Sequence, residues 1–192
     1  MPSSADGFDA AIEYAARSVQ DALQALPTGG SAPVIVIDGR SGSGKTTLAG
    51  RLRTMLGSDV HVVALDDLYP GWDGLASGAE VARLAIMEPV AAGCDARWHR
   101  WDWARDAPGE QMITPADGPL IVEGCGALTA ASAAVAQIRV WLESPVSSRR
   151  ERALARDGEA YRPHWERWAA QEVVHLADDD PIAHATIVVD VP

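Results

Sequence analysis

Eight consecutive residues, Gly39-Arg40-Ser41-Gly42-Ser43-Gly44-Lys45-Thr46, fit the spacing G-x-x-x-x-G-K-[ST], and each residue type in it has a chemical use. Glycine lets the backbone curl until successive N–H groups point at phosphate oxygens. Lys45 supplies a compact ammonium for the outer phosphates, a place that a planar guanidinium would fill differently. Thr46 offers a hydroxyl to Mg2+, and Thr47 opens the helix whose N-terminus favours anions. Lys45 is the one lysine in a chain with fifteen arginines and no asparagine. A GC-rich coding bias turns replaceable lysines into arginines, so the survivor marks a position that resists the change. The segment predicts a nucleoside triphosphate site.

Acids stand where such a site needs them. Asp66 and Asp67 follow the apolar run at residues 61–65, where a carboxylate could take a proton from an attacking hydroxyl or hold Mg2+. Asp is also common in turns, so either one could instead be a turn residue. Glu123 ends the apolar run Pro-Leu-Ile-Val. A charge abutting a buried strand is costly, which points to a metal-orienting role. Arg149, Arg152 and Arg156 share one helical face, either turned to phosphates or simply solvated. Trp98, Trp101 and Trp103 crowd one short polar stretch.

These groups require a scaffold of alternating strands and helices. Residues 34–37 read as a buried parallel strand, with a helix over 47–56. Further strands are expected at 61–65, 119–123, 137–142 and 187–190, and helices at 80–92, 146–156 and 164–176. Phe8, Ile12, Ala15, Val19, Leu23 and Leu26 recur at helical spacing and predict an amphipathic leading helix. The expected organisation is a helix and linker over 1–32 and a single α/β domain over 33–192. Residues 94–118 form an irregular or antiparallel excursion, and 149–163 a small helical lid. Acids at the carboxyl ends of neighbouring parallel strands lie at the ligand-binding edge of such a sheet.

Composition removes several classes. A net charge of -11 argues against a nucleic-acid surface, and no run is long enough for a membrane span. Cys94 and Cys125 have no metal-ligand spacing, and the N-terminal stretch has no secretory pattern, so a cytoplasmic location with reduced thiols is expected. A guanine reader of the Asn-Lys-x-Asp type lacks its parts here. The length suits a small phosphotransferase.

The chain resembles the uridine kinase branch of the P-loop nucleoside kinases, relatives of phosphoribulokinase. The resemblance rests on Gly39 to Thr47, Asp66-Asp67-Leu68-Tyr69, Ile121-Val122-Glu123-Gly124 and Arg156-Asp157, and runs from about Ile35 to Arg162. It implies a three-layer P-loop kinase fold with a central, mostly parallel five-stranded sheet, and ATP and Mg2+ as cofactors. It further implies Asp66 as general base and acceptor-sugar ligand, Tyr69 beside it, Glu123 near Mg2+, and Arg156 on the transferring phosphates. Arg162 would close with the lid. Where the family carries Tyr-Asp-Phe around the nucleobase, this chain has Trp101-Asp102-Trp103, so two indoles could wall the acceptor or instead pack the core. Trp98 should face the core, and Trp165 and Trp168 should pack their helix down.

The expected activity is therefore transfer of the γ-phosphoryl group of ATP to a hydroxyl of a small, nucleoside-like molecule. A nucleotide or other metabolite kinase, and an ATP-binding regulatory protein, are the rival readings. The expected partner is the small-molecule acceptor, with no nucleic acid or membrane. A homodimer is left open.

Overall fold

The computed structural model describes residues 4–27 and 29–192. Residues 1–3 of the expected leading segment and Thr28 of the linker lie outside the described residues. In chain order the elements are α1 (Ser4–Gln24), β1 (Val34–Asp38), α2 (Lys45–Leu56), β2 (His61–Ala64), α3 (Leu75–Ala82), α4 (Glu88–Ala91), β3 (Ala96–Asp102), β4 (Ala107–Thr114), β5 (Leu120–Glu123), α5 (Ala130–Ala133), β6 (Ile138–Glu143), α6 (Val146–Tyr161), α7 (Trp165–Asp179), α8 (Pro181–His184) and β7 (Ile187–Asp190). The five expected strands form one sheet in the order β2-β5-β1-β6-β7. Every pairing in it is parallel.

The central strand explains the layering. All five residues of β1 are buried, and alternate side chains point to opposite faces. Ile35 and Ile37 join Leu48 and Leu52 of α2 and Ile12, Ala15 and Val19 of α1 in one apolar layer. Val34 and Val36 join Leu65, Tyr69, Ile86, Trp98, Trp165 and Trp168 in the other. The leading helix thus covers one face of the sheet with the stripe that its periodicity predicts. Among the described residues no helix is long and apolar enough to cross a membrane.

Two segments differ from expectation for local reasons. The helix expected at 80–92 begins at Leu75 and widens into a π-helical turn over Arg83–Met87. Pro89 follows after Glu88; it has no N–H for the carbonyl one turn back, and its ring would crowd that carbonyl in regular α geometry. The excursion is a regular hairpin of β3 and β4, with Trp98 opposite Met112 and a bulge between His99 and Trp101. Asp102 Oδ1 accepts from the N–H groups of Ala104 and Arg105, at 3.0 and 3.1 Å, so the chain turns there. Trp103 consequently sits in the turn and not on the strand, and the strand alternation expected to put Trp101 and Trp103 on one side does not reach it.

Candidate functional site

The loop between β1 and α2 curls as its glycines allow. Gly42 has φ of +81°, and a Cβ on it would stand 2.1 Å from the Arg149 carbonyl oxygen, so α6 packs directly on the loop. Fixed partners hold the outer side of the loop. Arg149, fully buried, donates to the carbonyls of Ser144 (3.0 Å) and Ser41 (3.1 Å). Arg152 Nε donates to the Gly42 carbonyl at 2.8 Å. The buried Glu172 carboxylate accepts from Ser41 N–H at 2.6 Å and Arg40 Nε at 2.9 Å. With these outer groups occupied, the first-turn N–H groups of α2, which have no intrahelical acceptors, remain for a ligand.

Asp38 ties this loop to the one after β5. Its Oδ1 accepts from Gly39 N–H (2.6 Å) and Gly126 N–H (3.0 Å), and Oδ2 accepts from Leu128 N–H (2.8 Å). His175 of α7 sets Nε2 3.0 Å from Asp38 Oδ2 and Nδ1 2.8 Å from Asp179 Oδ2. Each ring nitrogen thus faces a carboxylate oxygen, an arrangement that favours the protonated imidazole, in which both nitrogens donate. Burial opposes that charge, but hydrogen bonds and attraction from Asp38 and Asp179 outweigh it and raise the His175 pKa above its ordinary value. The stabilisation is therefore complete below the unfolded value of about 6.5 and is lost as pH rises through the higher folded value. His175→Gln should cost about 3 kcal/mol at pH 6 and flatten the fall in melting temperature between pH 6 and 9. An unchanged slope in the variant would exclude His175 as its source.

Inside the loop lies a cavity of about 510 Å3. Lys45 is buried, with Nζ donating to the carbonyls of Gly39 (2.7 Å) and Arg40 (3.2 Å) and lying 3.3 Å from Cys125 Sγ. Burial opposes its charge, but the acidic groups around it, the Glu123, Asp38 and Glu172 carboxylates, hold its pKa above the ordinary lysine value. Burial pushes the Cys125 thiol up to about 12, so it stays neutral. Thr46 Oγ1 donates to Glu123 Oε1 at 3.0 Å. This hydroxyl–carboxylate pair has the hard oxygen chemistry that Mg2+ takes, and one protein carboxylate suffices when phosphates and water supply the rest. Burial raises the Glu123 pKa, partly offset by Lys45.

Asp66 lies just beyond β2, in a 3-10 turn over Leu65–Asp67. Asp66 is exposed and lines the cavity, and desolvation by the protein around it raises its pKa against the pull of Arg156 and Lys45. Arg156 lines the same cavity in a bidentate pair with Asp157, at 2.8 and 2.7 Å. Asp67 turns away to Arg100, 3.2 Å distant. The far wall is aromatic: Tyr69, Trp72, Trp103, Tyr161 and Trp168. Trp103 donates from Nε1 to the Asp66 carbonyl at 2.8 Å and is 41 % exposed. Trp72 stacks on His164 (4.0 Å) and Tyr161 (5.6 Å) and lies 5.0 Å from Trp103.

The structure thus brings together Lys45, Thr46, Thr47, Asp66, Tyr69, Trp103, Glu123 and Arg156 around one space. Tyr69 spends its hydroxyl on the Cys125 carbonyl, 2.8 Å away, and acts there as a wall. Of the expected loop residues, Gly39, Arg40 and Ser43 are not on the cavity wall, and two expected acceptor-side residues stand apart from it as well. Trp101 is not on the cavity wall, and its Nε1 is buried without a partner among the described residues. Arg162 pairs with Glu159 at 3.0 Å, off that wall. Trp98 is buried, donating to Thr114 Oγ1 at 2.9 Å, and Trp165 and Trp168 are buried as expected. Trp72, Tyr161 and the cavity face of Trp168 had no signal beyond being aromatic, because residues far apart in the chain build this wall.

No family model matches the chain, and no curated protein matches it. Solved structures do. A possible uridine kinase from Bacillus stearothermophilus superposes with a TM-score of 0.64 at 21% identity, over 94% of this chain and 97% of that one. A candidate fructose transport system kinase from Silicibacter sp. TM1040 gives 0.55 at 17% identity, over 92% and 98%. The chain therefore has the α/β fold of the P-loop kinases, a parallel five-stranded sheet flanked by helices.

Proposed function

We propose that this protein is an ATP- and Mg2+-dependent kinase that phosphorylates a hydroxyl of a small, neutral, nucleoside-like molecule. The observation that carries this reading is the placement of Asp66 in one cavity with Lys45, Arg156 and the Thr46–Glu123 pair. Asp66 would accept the proton of the acceptor hydroxyl as its oxygen bonds to the γ-phosphorus, while the bond to the bridging oxygen breaks and ADP leaves. Lys45 would release the loop carbonyls for phosphate oxygens, and Arg156 would leave Asp157 to meet the charge that develops on the transferred group. Thr46 and Glu123 would hold Mg2+, which when bound offsets phosphate charge. The raised Asp66 pKa predicts that turnover falls toward acid pH, as the base becomes protonated.

The aromatic wall beside Asp66 suits a flat acceptor. The cations on the cavity wall, Lys45, Arg152 and Arg156, belong to the start of α2 and to α6, and among the described residues the wall has no further lysine or arginine for an acceptor phosphate. A uridine kinase-like activity fits both features and the name of one structural neighbour; the other is named a fructose transport system kinase. Uridine, added with a non-hydrolysable ATP analogue, is the first acceptor to test by calorimetry. Trp103→Ala should weaken acceptor binding by about 1 to 3 kcal/mol, the loss of one stacking partner, with affinity for the analogue unchanged. A drop of about 3 to 5 kcal/mol in stability that degrades both ligands together would instead make Trp103 a packing residue.

A further inference from the structure

The leading helix falls outside the stretch of family resemblance, yet one of its residues reaches the cavity. Phe8, the only phenylalanine, is half-buried and lines the wall with Gly42, Gly44, Thr47 and Arg152. Its ring lies on the loop, so close that a Cβ on Gly44 would come within 3.1 Å of Phe8 Cε2. The Arg152 guanidinium carbon sits 5.0 Å from the ring centroid. Arg152 is held there by bonds from Nε to the Gly42 carbonyl (2.8 Å) and from Nη1 to the Pro192 carbonyl (2.6 Å).

The direction of a bound nucleotide follows from these positions. The transferring phosphate belongs with Lys45, Asp66 and Arg156, and the acceptor with Trp103, which is bonded to Asp66. Arg152 lies one helical turn before Arg156, at the level of Gly42 and Phe8. A nucleoside whose phosphates follow the loop amides must leave at this second level, since the first is taken by the acceptor. There it meets a ring and a guanidinium, both of which stack on the π face of a base. We infer that Phe8, backed by Arg152, is the platform for the nucleotide base, so that α1 supplies a base-binding element of the triphosphate site. The inference rests on the kinase reading above for the direction of the phosphates. Stacking is tolerant of base identity, so ATP and GTP should bind with similar affinity.

The test compares Mg2+-ATP with Mg2+-tripolyphosphate, which has the phosphates but no base. Wild-type protein should bind ATP more tightly. Phe8→Leu, which keeps an apolar contact on Gly44 but loses the ring face, should lose roughly tenfold or more in ATP affinity, with tripolyphosphate affinity unchanged. Phe8→Tyr should restore ATP binding. Parallel losses for both ligands would show that the ring only props the loop and would overturn the inference. So would an unchanged ATP affinity in Phe8→Leu, or equal wild-type affinities for the two ligands, and either of these leaves the phosphate site standing. Wild-type protein that binds neither ligand would remove the nucleotide reading, and the platform with it.

Discussion

Lys45→Ala is expected to yield a folded protein whose phosphoryl transfer is slower by about 100-fold or more. The buried ammonium is the one lysine, and it faces Cys125 and the Glu123, Asp38 and Glu172 carboxylates. Its removal takes away a charge that would stabilise the moving phosphoryl group, and also the partner of the Gly39 and Arg40 carbonyls. Lys45→Met, closer in volume, separates the lost charge from the lost packing and should be equally inactive. Lys45→Arg should rescue little, because a planar fork does not place its charge where a compact ammonium does. ADP release that depends on added uridine is the measurement, alongside thermal melts. A well-folded Lys45→Ala protein with near-normal turnover would contradict the role given to Lys45.

Asp66→Asn and Glu123→Gln should fail in different ways. An amide accepts no proton at neutral pH, so Asp66→Asn should bind Mg2+-ATP and lose about 100- to 10,000-fold in turnover. Glu123→Gln preserves an oxygen for the Thr46 hydroxyl but removes the charge, and a neutral ligand holds a hard cation less well. Its defect should shrink as Mg2+ is raised, whereas that of Asp66→Asn should not. Parallel Mg2+ titrations settle the matter, and identical curves for the two variants would refute the division of labour.

Much of the scaffold could be read from local pattern because its signals are local. Glycine spacing placed the loop, apolar runs placed the five strands, and the stripe on residues 8–26 placed α1 on a sheet face. Asp66, Glu123 and Arg156 were legible because a charge at the end of an apolar run, or one face of a helix, is visible within a few residues. The supports behind the loop were not. Glu172 meets Arg40 across 132 residues of chain, and His175 meets Asp38 across 137. Neither residue differs locally from an ordinary polar position on an amphipathic helix. The aromatic wall was only partly legible for a similar reason. Period-two alternation presumes an uninterrupted strand, and the bulge after His99 and the Asp102 turn end that strand before Trp103. Trp72 lay in plain view in a turn, but only the fold brings Tyr161, His164 and Trp168 around it.

The position of β1 at the centre of the sheet also bears on how the chain acquires its site. Its two neighbours, β5 and β6, are synthesised long after it, and Glu172 and His175 emerge later still. Parallel pairing across such separations is slow, because the loop-closure entropy must be met before contacts form. A nascent chain therefore carries its glycine-rich segment without the groups that shape it until almost all of α7 has left the ribosome. Nucleotide binding should be among the last properties to appear during refolding, trailing helix formation, and so could serve as a kinetic reporter of completed assembly.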